Sequence, residues 1–177
     1  MKALLKLAPL AAIVLSPIAA GTAHATAAYT PPASLSAAQV AQITARLTKL
    51  GATSGATTNV IAQINTILAD RAKLATDTKG STQFTTDLAT LKADARTAEA
   101  SVLGILGATT DQVTGYFSAI DAEVAAYAAL KATTKGSAAF TAALATLKAA
   151  DAATHTAAAA LPKGALRALD HLGWDFD

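Results

Sequence analysis

The sequence contains no cysteine, and this absence excludes several kinds of site. No disulfide can cross-link the chain, so its stability has to come from packing. Covalent haem attachment through a Cys-x-x-Cys-His run is excluded, and so is lipid attachment through an N-terminal cysteine. Any cofactor would therefore depend on other side chains.

Histidine, methionine and glutamate, which could hold a cofactor or a metal in place of cysteine, are scarce as well. The chain has three histidines and one methionine, and its only glutamates are Glu99 and Glu123. A b-type haem needs His or Met ligands on facing helices, and a di-iron bundle needs several inward glutamates with Glu-x-x-His pairs. Asp151 and His155 lie four residues apart, but two ligands alone make a poor metal site, so we interpret them as a surface pair. We predict no cofactor and no metal.

Motifs of catalysis and phosphate binding are also missing. The sequence has no Gly-x-Ser-x-Gly elbow and no Gly-x-x-x-x-Gly-Lys loop. Lys79-Gly80-Ser81 and Lys135-Gly136-Ser137 are superficially similar to such a loop, but we interpret each lysine as a cation at a helix C-terminus. A threonine series typical of an ice-binding helix stops after Thr86 and Thr97. We predict that the protein is not an enzyme.

The N-terminal segment has the three parts of a secretory signal peptide. A basic start precedes an apolar stretch from Leu7 to Ala20, and Ala23-His24-Ala25 predicts cleavage before Thr26. A membrane anchor is the alternative, but the stretch is shorter than the roughly 20 residues that a bilayer requires and contains two prolines. We expect residues 1–25 to be removed and the protein to be exported, to the periplasm or the cell exterior.

Cleavage changes the net charge. The whole chain carries 14 basic and 12 acidic side chains, a formal balance of +2, and Lys2 and Lys6 leave with the signal peptide. The mature chain is then neutral and has no broad cationic field for a phosphate backbone. We predict no nucleic-acid partner and no integral membrane span after cleavage.

Beyond a short extended leader at 26–33, the chain has helical composition. From residue 34 to the next proline, Pro162, helix-forming residues dominate, and apolar residues recur every three or four positions. The stripes comprise Val40, Ile43, Leu47 and Leu50; Val60, Ile61, Ile64, Ile67, Leu68 and Leu74; Phe84, Leu88, Leu91, Ala95, Ala98 and Val102; Val113, Tyr116, Phe117, Ile120, Val124, Tyr127 and Leu130; and Phe140, Leu144 and Leu147. The sequence predicts an all-α, antiparallel bundle of about five helices over residues 34–162.

Glycines and hydroxyl residues mark the predicted helix ends. A glycine follows each of the first four runs, where a left-handed residue often ends a helix. Serine or threonine then follows, and Thr109 with Gln112 has capping-box spacing. The glycines are Gly51, Gly80, Gly107 and Gly136, and the predicted caps are Ser81, Ser137 and either Thr109 or Thr110.

The chain resembles itself at an offset of 56 residues. Residues 74–93 and 130–149 are identical at thirteen of twenty positions, including both Lys-Gly-Ser turns and both phenylalanines. The tetrad Leu-Gly-Ala-Thr at 50–53 recurs at 106–109. We predict a duplicated helical hairpin, with copies at 50–105 and 106–161.

The last segment, 163–177, is predicted to form a short helix with an aromatic tail. Leu166, Leu169 and Leu172 share one helical face, and the chain ends with Trp174 and Phe176 among aspartates. Trp174 and Phe176 could anchor a partner-docking peptide with a polar rim. The alternative, which we favour, is a lid that closes one end of the bundle.

Two functions are compatible with these features. The first is a non-catalytic structural or interaction protein with an unknown protein partner. The second is a binding module for small apolar ligands, lipids or hydrophobic surfaces, formed by aromatic side chains beside small alanines. The aromatic residues of that candidate site are Phe84, Tyr116, Phe117, Tyr127 and Phe140.

Overall fold

The structure is a computed structural model that describes residues 32–171. Within this range the chain forms six α-helices and no strand. They are α1 (Ala37–Lys49), α2 (Ser54–Leu74), α3 (Thr82–Ile105), α4 (Thr110–Lys131), α5 (Ala138–Ala160) and α6 (Ala165–His171). The predicted all-α, helical-bundle class is confirmed, and the sixth helix is the short one expected after Pro162. The predicted signal peptide, nearly all of the leader and the aromatic end of the tail lie outside the described residues.

The helices belong to two compact units. The first contains residues 32–105 and 167–171 of the described chain, and the second contains residues 106–166. In the first unit α2 and α3 pair along their length and α1 contacts α2, whereas in the second unit α4 pairs with α5. Both pairs are antiparallel, because bonds join α2 to α3 at Gln63–Ser101 and at Lys73–Asp87, and join α4 to α5 at Gln112–Ala160.

The first unit has the larger core. Its predicted stripes on α1, α2 and α3 supply most of the buried apolar side chains, with Val102 and Leu47 fully covered. The buried apolar residues are Ile43, Leu47, Val60, Ile64, Ile67, Leu68, Leu91, Ala95, Ala98, Val102 and Leu103 on these helices. Two carboxylic acids, Asp87 and Glu99, are buried on α3 together with them. The stripe prediction is therefore correct for this unit, but it overlooks those two acids.

The second unit has a thinner core, and the predicted stripe of α4 is partly wrong. Val124 and Tyr127 are 55% and 51% exposed. The buried residue between them is Ala126, which lies about 160° around the helix from Val124 and about 100° from Tyr127. The apolar arc of α4 is thus wider than the face that is covered, and its C-terminal half leaves large side chains in solvent.

Helix starts follow the predicted capping chemistry. The Thr109 hydroxyl accepts from the Gln112 amide, and the Gln112 side chain accepts from the Thr109 amide, which confirms the capping box. Ser81 and Ser137 accept from the amides of Phe84 and Phe140. A second capping box, between Ser36 and Gln39 at the start of α1, was not predicted.

Two of the four predicted helix ends agree with the structure, and two do not. Gly51 and Gly107 adopt φ near +90° two residues after the ends of α1 and α3, as expected. By contrast, α2 ends six residues before Gly80 and α4 ends five residues before Gly136, so Lys79 and Lys135 are not at helix C-termini. Threonine hydroxyls end these helices instead: those of Thr76 and Thr133 donate to last-turn carbonyls at 2.7 Å. Gly80 and Gly136 then occupy the third position of a tight turn, where a positive φ is required.

Local structure recurs at the offset found in the sequence. The starts of α2 and α4 are 56 residues apart, and so are those of α3 and α5. The positive-φ glycines and the capping hydroxyls also occupy equivalent positions in the two hairpins. A duplication as the origin of this pattern stays a prediction.

Exposed threonines satisfy their own hydroxyl donors. Ten of them donate to the carbonyl four residues earlier in the same helix, so the hydroxyl hydrogen bonds to the protein rather than to water. They are Thr48, Thr58, Thr66, Thr85, Thr86, Thr90, Thr97, Thr141, Thr146 and Thr156. These hydroxyl bonds therefore stay within one helix and do not link one helix to another.

The connection into α6 is set by proline. Leu161 is extended (φ −69°, ψ 156°) because the ring of Pro162 disfavours helical backbone in the residue before it. Gly164 then takes a φ of +85°, and the Ala165 amide donates to the Pro162 carbonyl at 3.0 Å. Helix α5 therefore stops where the sequence predicted.

Two glycines of the second unit are expected to respond to alanine with opposite signs. Gly107→Ala places a Cβ at a φ of +90°, which should lower the free energy of unfolding by about 1–2 kcal/mol. Gly115 lies inside α4 with open space where a Cβ would be, so Gly115→Ala should raise it by about 0.5–1 kcal/mol. Urea denaturation of both variants checks the pair, and equal effects would contradict the assigned backbone.

Candidate functional site

The residues of the predicted aromatic site occur in both units of the structure. Tyr116 and Phe117 are neighbours on α4, with ring centroids 5.8 Å apart, whereas Tyr127 is three turns further along the same helix and exposed. Phe140 begins α5 at the opposite end of that hairpin from Tyr116, and Phe84 belongs to the first unit. Four of the five residues therefore lie at three places along the second unit's hairpin, and the apolar site that they were predicted to form stays a prediction.

An exposed apolar face lies on the C-terminal half of α4. Val124 and Tyr127 form it, and the Lys131 ammonium lies 5.8 Å from the centroid of the Tyr127 ring. This distance allows a cation–π contact, which holds the positive charge beside the apolar surface. We call Val124, Tyr127 and Lys131 the α4 face. At the equivalent position of the first hairpin, Leu68 is only 2% exposed.

Four aspartates lie between α2 and α3 in the first unit, and sequence reasoning missed them. Asp70 is on α2, Asp77 is in the turn that follows it, and Asp87 and Asp94 are on α3. Asp87 and Asp94 continue the spacing of Phe84, Leu91 and Ala98, so the signal was a pair of acids within an apolar stripe. We call these four residues the aspartate ladder.

Hydrogen bonds fix one end of the aspartate ladder. The Lys73 ammonium donates to one oxygen of Asp87 at 2.7 Å, and the Gln83 amide donates to the other at 2.9 Å. Those two bonds, led by that of Gln83, hold the pKa of Asp87 below its usual value. Asp87 is therefore a buried but satisfied carboxylate.

The other acids of the ladder are held differently. Desolvation, then the neighbouring Asp94 carboxyl, raises the pKa of Asp70. Desolvation, then the neighbouring Asp87 carboxyl, raises the pKa of Asp77. Each of the two has one buried oxygen with no hydrogen-bond partner among the described residues. Both acids thus face a group that, like themselves, only accepts hydrogen bonds when ionised.

The second hairpin has none of this chemistry at the equivalent positions. An offset of 56 residues places alanine opposite nearly every polar member of the α2–α3 contact. The equivalents of Gln63, Asp70, Lys73, Gln83, Asp87, Asp94 and Ser101 are Ala119, Ala126, Ala129, Ala139, Ala143, Ala150 and Ala157. These particular side-chain pairs therefore belong to the first hairpin alone, and the second hairpin serves as the reference for them.

Glu99 is a further buried acid that the sequence did not identify. Its side chain is on α3, is 5% exposed, and has an oxygen, Oε1, without a hydrogen-bond partner among residues 32–171. Burial raises the pKa of Glu99 to about 7, although the charge of Arg96 acts in the opposite direction. The group therefore changes charge near neutrality.

A shallow cleft of about 370 Å³ opens at the end of the first hairpin, where α2 begins and α3 ends. Thr53, Asn59 and Ser101 contribute polar groups, and the remaining walls are small residues and Ile105. In the second hairpin the Gln112 side chain donates to the Ala160 carbonyl at the equivalent place. None of the predicted aromatic residues lines the cleft.

The predicted surface pair on α5 is confirmed. His155 Nδ1 lies 3.6 Å from Asp151 Oδ1 and 2.8 Å from the Asp151 carbonyl oxygen, and both side chains are exposed. Between residues 32 and 171, no group of three or more His, Cys, Asp or Glu side chains is placed to hold a metal ion.

The C-terminal segment is described only in part. Ala165 and Leu169 of α6 are buried and Leu166 is half-buried. Trp174 and Phe176, the predicted anchors, lie outside the described residues. The choice between a lid and a docking peptide therefore stays a prediction.

Comparisons with known proteins supply no family. No helix within residues 32–171 combines the length and the apolar content needed to cross a membrane. No protein-family model, no curated protein and no solved structure matches the chain.

Proposed function

We propose that this protein is exported and acts by binding a protein partner rather than by catalysis. The α4 face carries the proposal, because a valine and a tyrosine that are each more than half exposed lie side by side on one helix, and tyrosine is enriched at protein interfaces. Lys131 adds a positive charge at its edge. The partner that fits presents an apolar side chain flanked by a carboxylate.

Other parts of the proposal have support from the sequence. The basic start, apolar stretch and small residues of 1–25 are typical of a signal peptide. The few histidines and glutamates leave little choice of catalytic acid or base, which favours binding over turnover.

Binding of small apolar ligands has less support. Its predicted residues are divided between two units, and the described cleft has a mixed lining with several hydrogen-bonding groups. Native mass spectrometry of the protein purified from its own host separates the two functions. A retained lipid or other apolar molecule would favour the ligand-binding function over our proposal.

Photocrosslinking tests the α4 face directly. A photoreactive phenylalanine analogue is placed at Ala128, which is exposed and lies one turn after Val124 on the same side of α4. When cells that produce this variant are irradiated, the protein should form one discrete adduct with a second protein. The crosslinked form of our protein should begin at Thr26, as expected if the signal peptide has been removed. Because aromatic and apolar anchors dominate interfaces, Val124→Ser with Tyr127→Ser should remove this adduct.

The matched control places the same analogue at Ala122. That residue is also exposed, but it lies two positions before Val124 and hence on another side of the helix. It should give no adduct. An Ala128 adduct that persists in the double serine variant, or no adduct at either position, would overturn the proposal.

A further inference from the structure

We propose that the aspartate ladder is a pH-sensitive device that holds α2 and α3 together in acid and loosens the first hairpin as the pH rises. The proposal is independent of the α4 face, which belongs to the second unit.

Two carboxyl oxygens of the ladder lack a hydrogen bond. Oδ2 of Asp70 and Oδ2 of Asp77 are buried without a hydrogen-bond partner in the described chain. Each acid lies beside a second carboxyl, Asp94 or Asp87 respectively. Two carboxylates cannot donate to each other, so the missing component of each pair is a donor. A proton on either member supplies it and removes one of the two like charges.

The surrounding charges do not satisfy both pairs. The groups that face one another here are Asp70 and Lys73 of α2, Asp77 of the turn, and Gln83, Asp87 and Asp94 of α3. Lys73 is the single cation among these six groups, and it is bonded to Asp87. Its charge lowers the pKa of Asp70 and of Asp77, but by less than desolvation and the neighbouring carboxyl raise it.

The direction of the effect follows from these contacts. In acid, protonated Asp70 and Asp77 donate across α2–α3 and the turn, and the hairpin is held closed. As the pH rises the protons leave, and each pair then consists of two carboxylates. These carboxylates repel each other at the end of the hairpin nearest the turn. The second hairpin has alanine or threonine in these places and contains no such pair.

Hydrogen exchange of the full chain tests the proposal. Protection is measured at about pH 4, near the ordinary value of an aspartate pKa, and at about pH 8, and is corrected for the intrinsic pH dependence of exchange. Residues 66–94 are compared with their equivalents, 122–150. All variants also carry Glu99→Gln, so that the titration of that buried acid does not contribute.

We expect the first hairpin to lose protection at the higher pH relative to the second. Asp70→Asn with Asp77→Asn provides an amide donor at every pH and should keep the hairpin protected under both conditions. Asp70→Ala with Asp77→Thr installs the residues of the second hairpin and should also abolish the pH dependence. Equal protection ratios at both pH values in the Glu99→Gln chain, or a pH dependence that survives in the asparagine variant, would overturn the proposal.

Discussion

The free energy of unfolding should fall by about 3 kcal/mol as the pH rises from about 4.5 to about 7, because of Glu99 alone. Below the ordinary pKa of 4.5, the side chain is protonated in the folded and the unfolded chain, and the full stability is present. Between the two values the unfolded chain releases the proton while the folded chain keeps it. Above about pH 7 the folded chain has to bury a carboxylate, and the loss is complete.

Glu99→Gln removes the ionisation and retains the shape of the side chain. The variant should therefore be more stable than the parent protein at about pH 8, and its stability should vary much less between about pH 4.5 and pH 7. Urea denaturation across this range measures both effects. Glu123→Gln, which changes the only other glutamate, is the matched control and should follow the parent profile. A Glu99→Gln profile parallel to that of the parent would show that Glu99 does not titrate as proposed.

Leu169→Ala should destabilise the protein by about 2–5 kcal/mol. Leu169 is 1% exposed on α6, a helix of seven residues that cannot persist without tertiary packing. Truncation to alanine removes most of the buried side chain and leaves a cavity. Helix α6 can fill that cavity only if the whole helix shifts. Thermal unfolding followed by circular dichroism gives the loss.

Leu166→Ala is the matched control for Leu169→Ala. It removes the same atoms three residues earlier in α6, from a side chain that is only half-buried, so it should cost clearly less. A similar loss of stability in the two variants would contradict the prediction that Leu169 is the main contact of α6. The fluorescence of Trp174, the single tryptophan, reports at the same time on the segment that we predict to be a lid.

Local rules predicted much of this fold. Apolar spacing located all five long or medium helices, and hydroxyl residues after glycine located the starts of α3, α4 and α5. The rules failed where two local signals competed: Thr76 and Thr133 ended their helices before the glycines that the sequence made more conspicuous. The Ser36–Gln39 capping box had the spacing of a known motif and was available to the same reasoning.

The buried acids could not be predicted in the same way. An aspartate on an apolar stripe is ordinarily placed at the edge of a helix, in solvent. Only the register of α2 against α3 shows that Asp70 meets Asp94 and that Lys73 reaches Asp87. Register depends on packing along both helices, which the spacing within one helix does not contain. The exposure of Val124 is a similar case, because it depends on which residues of the second unit pack against α4.

The threonine hydroxyls that bond within their own helices also determine which hydrogen-bonding groups the exposed helix faces offer to other molecules. A hydroxyl has one hydrogen, so a threonine that donates to the carbonyl one turn earlier offers only lone pairs outward. Exposed faces of α3 and α5 that carry such residues, Thr86, Thr90 and Thr156 among them, are therefore rows of acceptors. Water must orient its hydrogens toward them, and a contacting molecule needs N–H or O–H groups there. The α4 face, with an ammonium at its edge, selects for the opposite polarity.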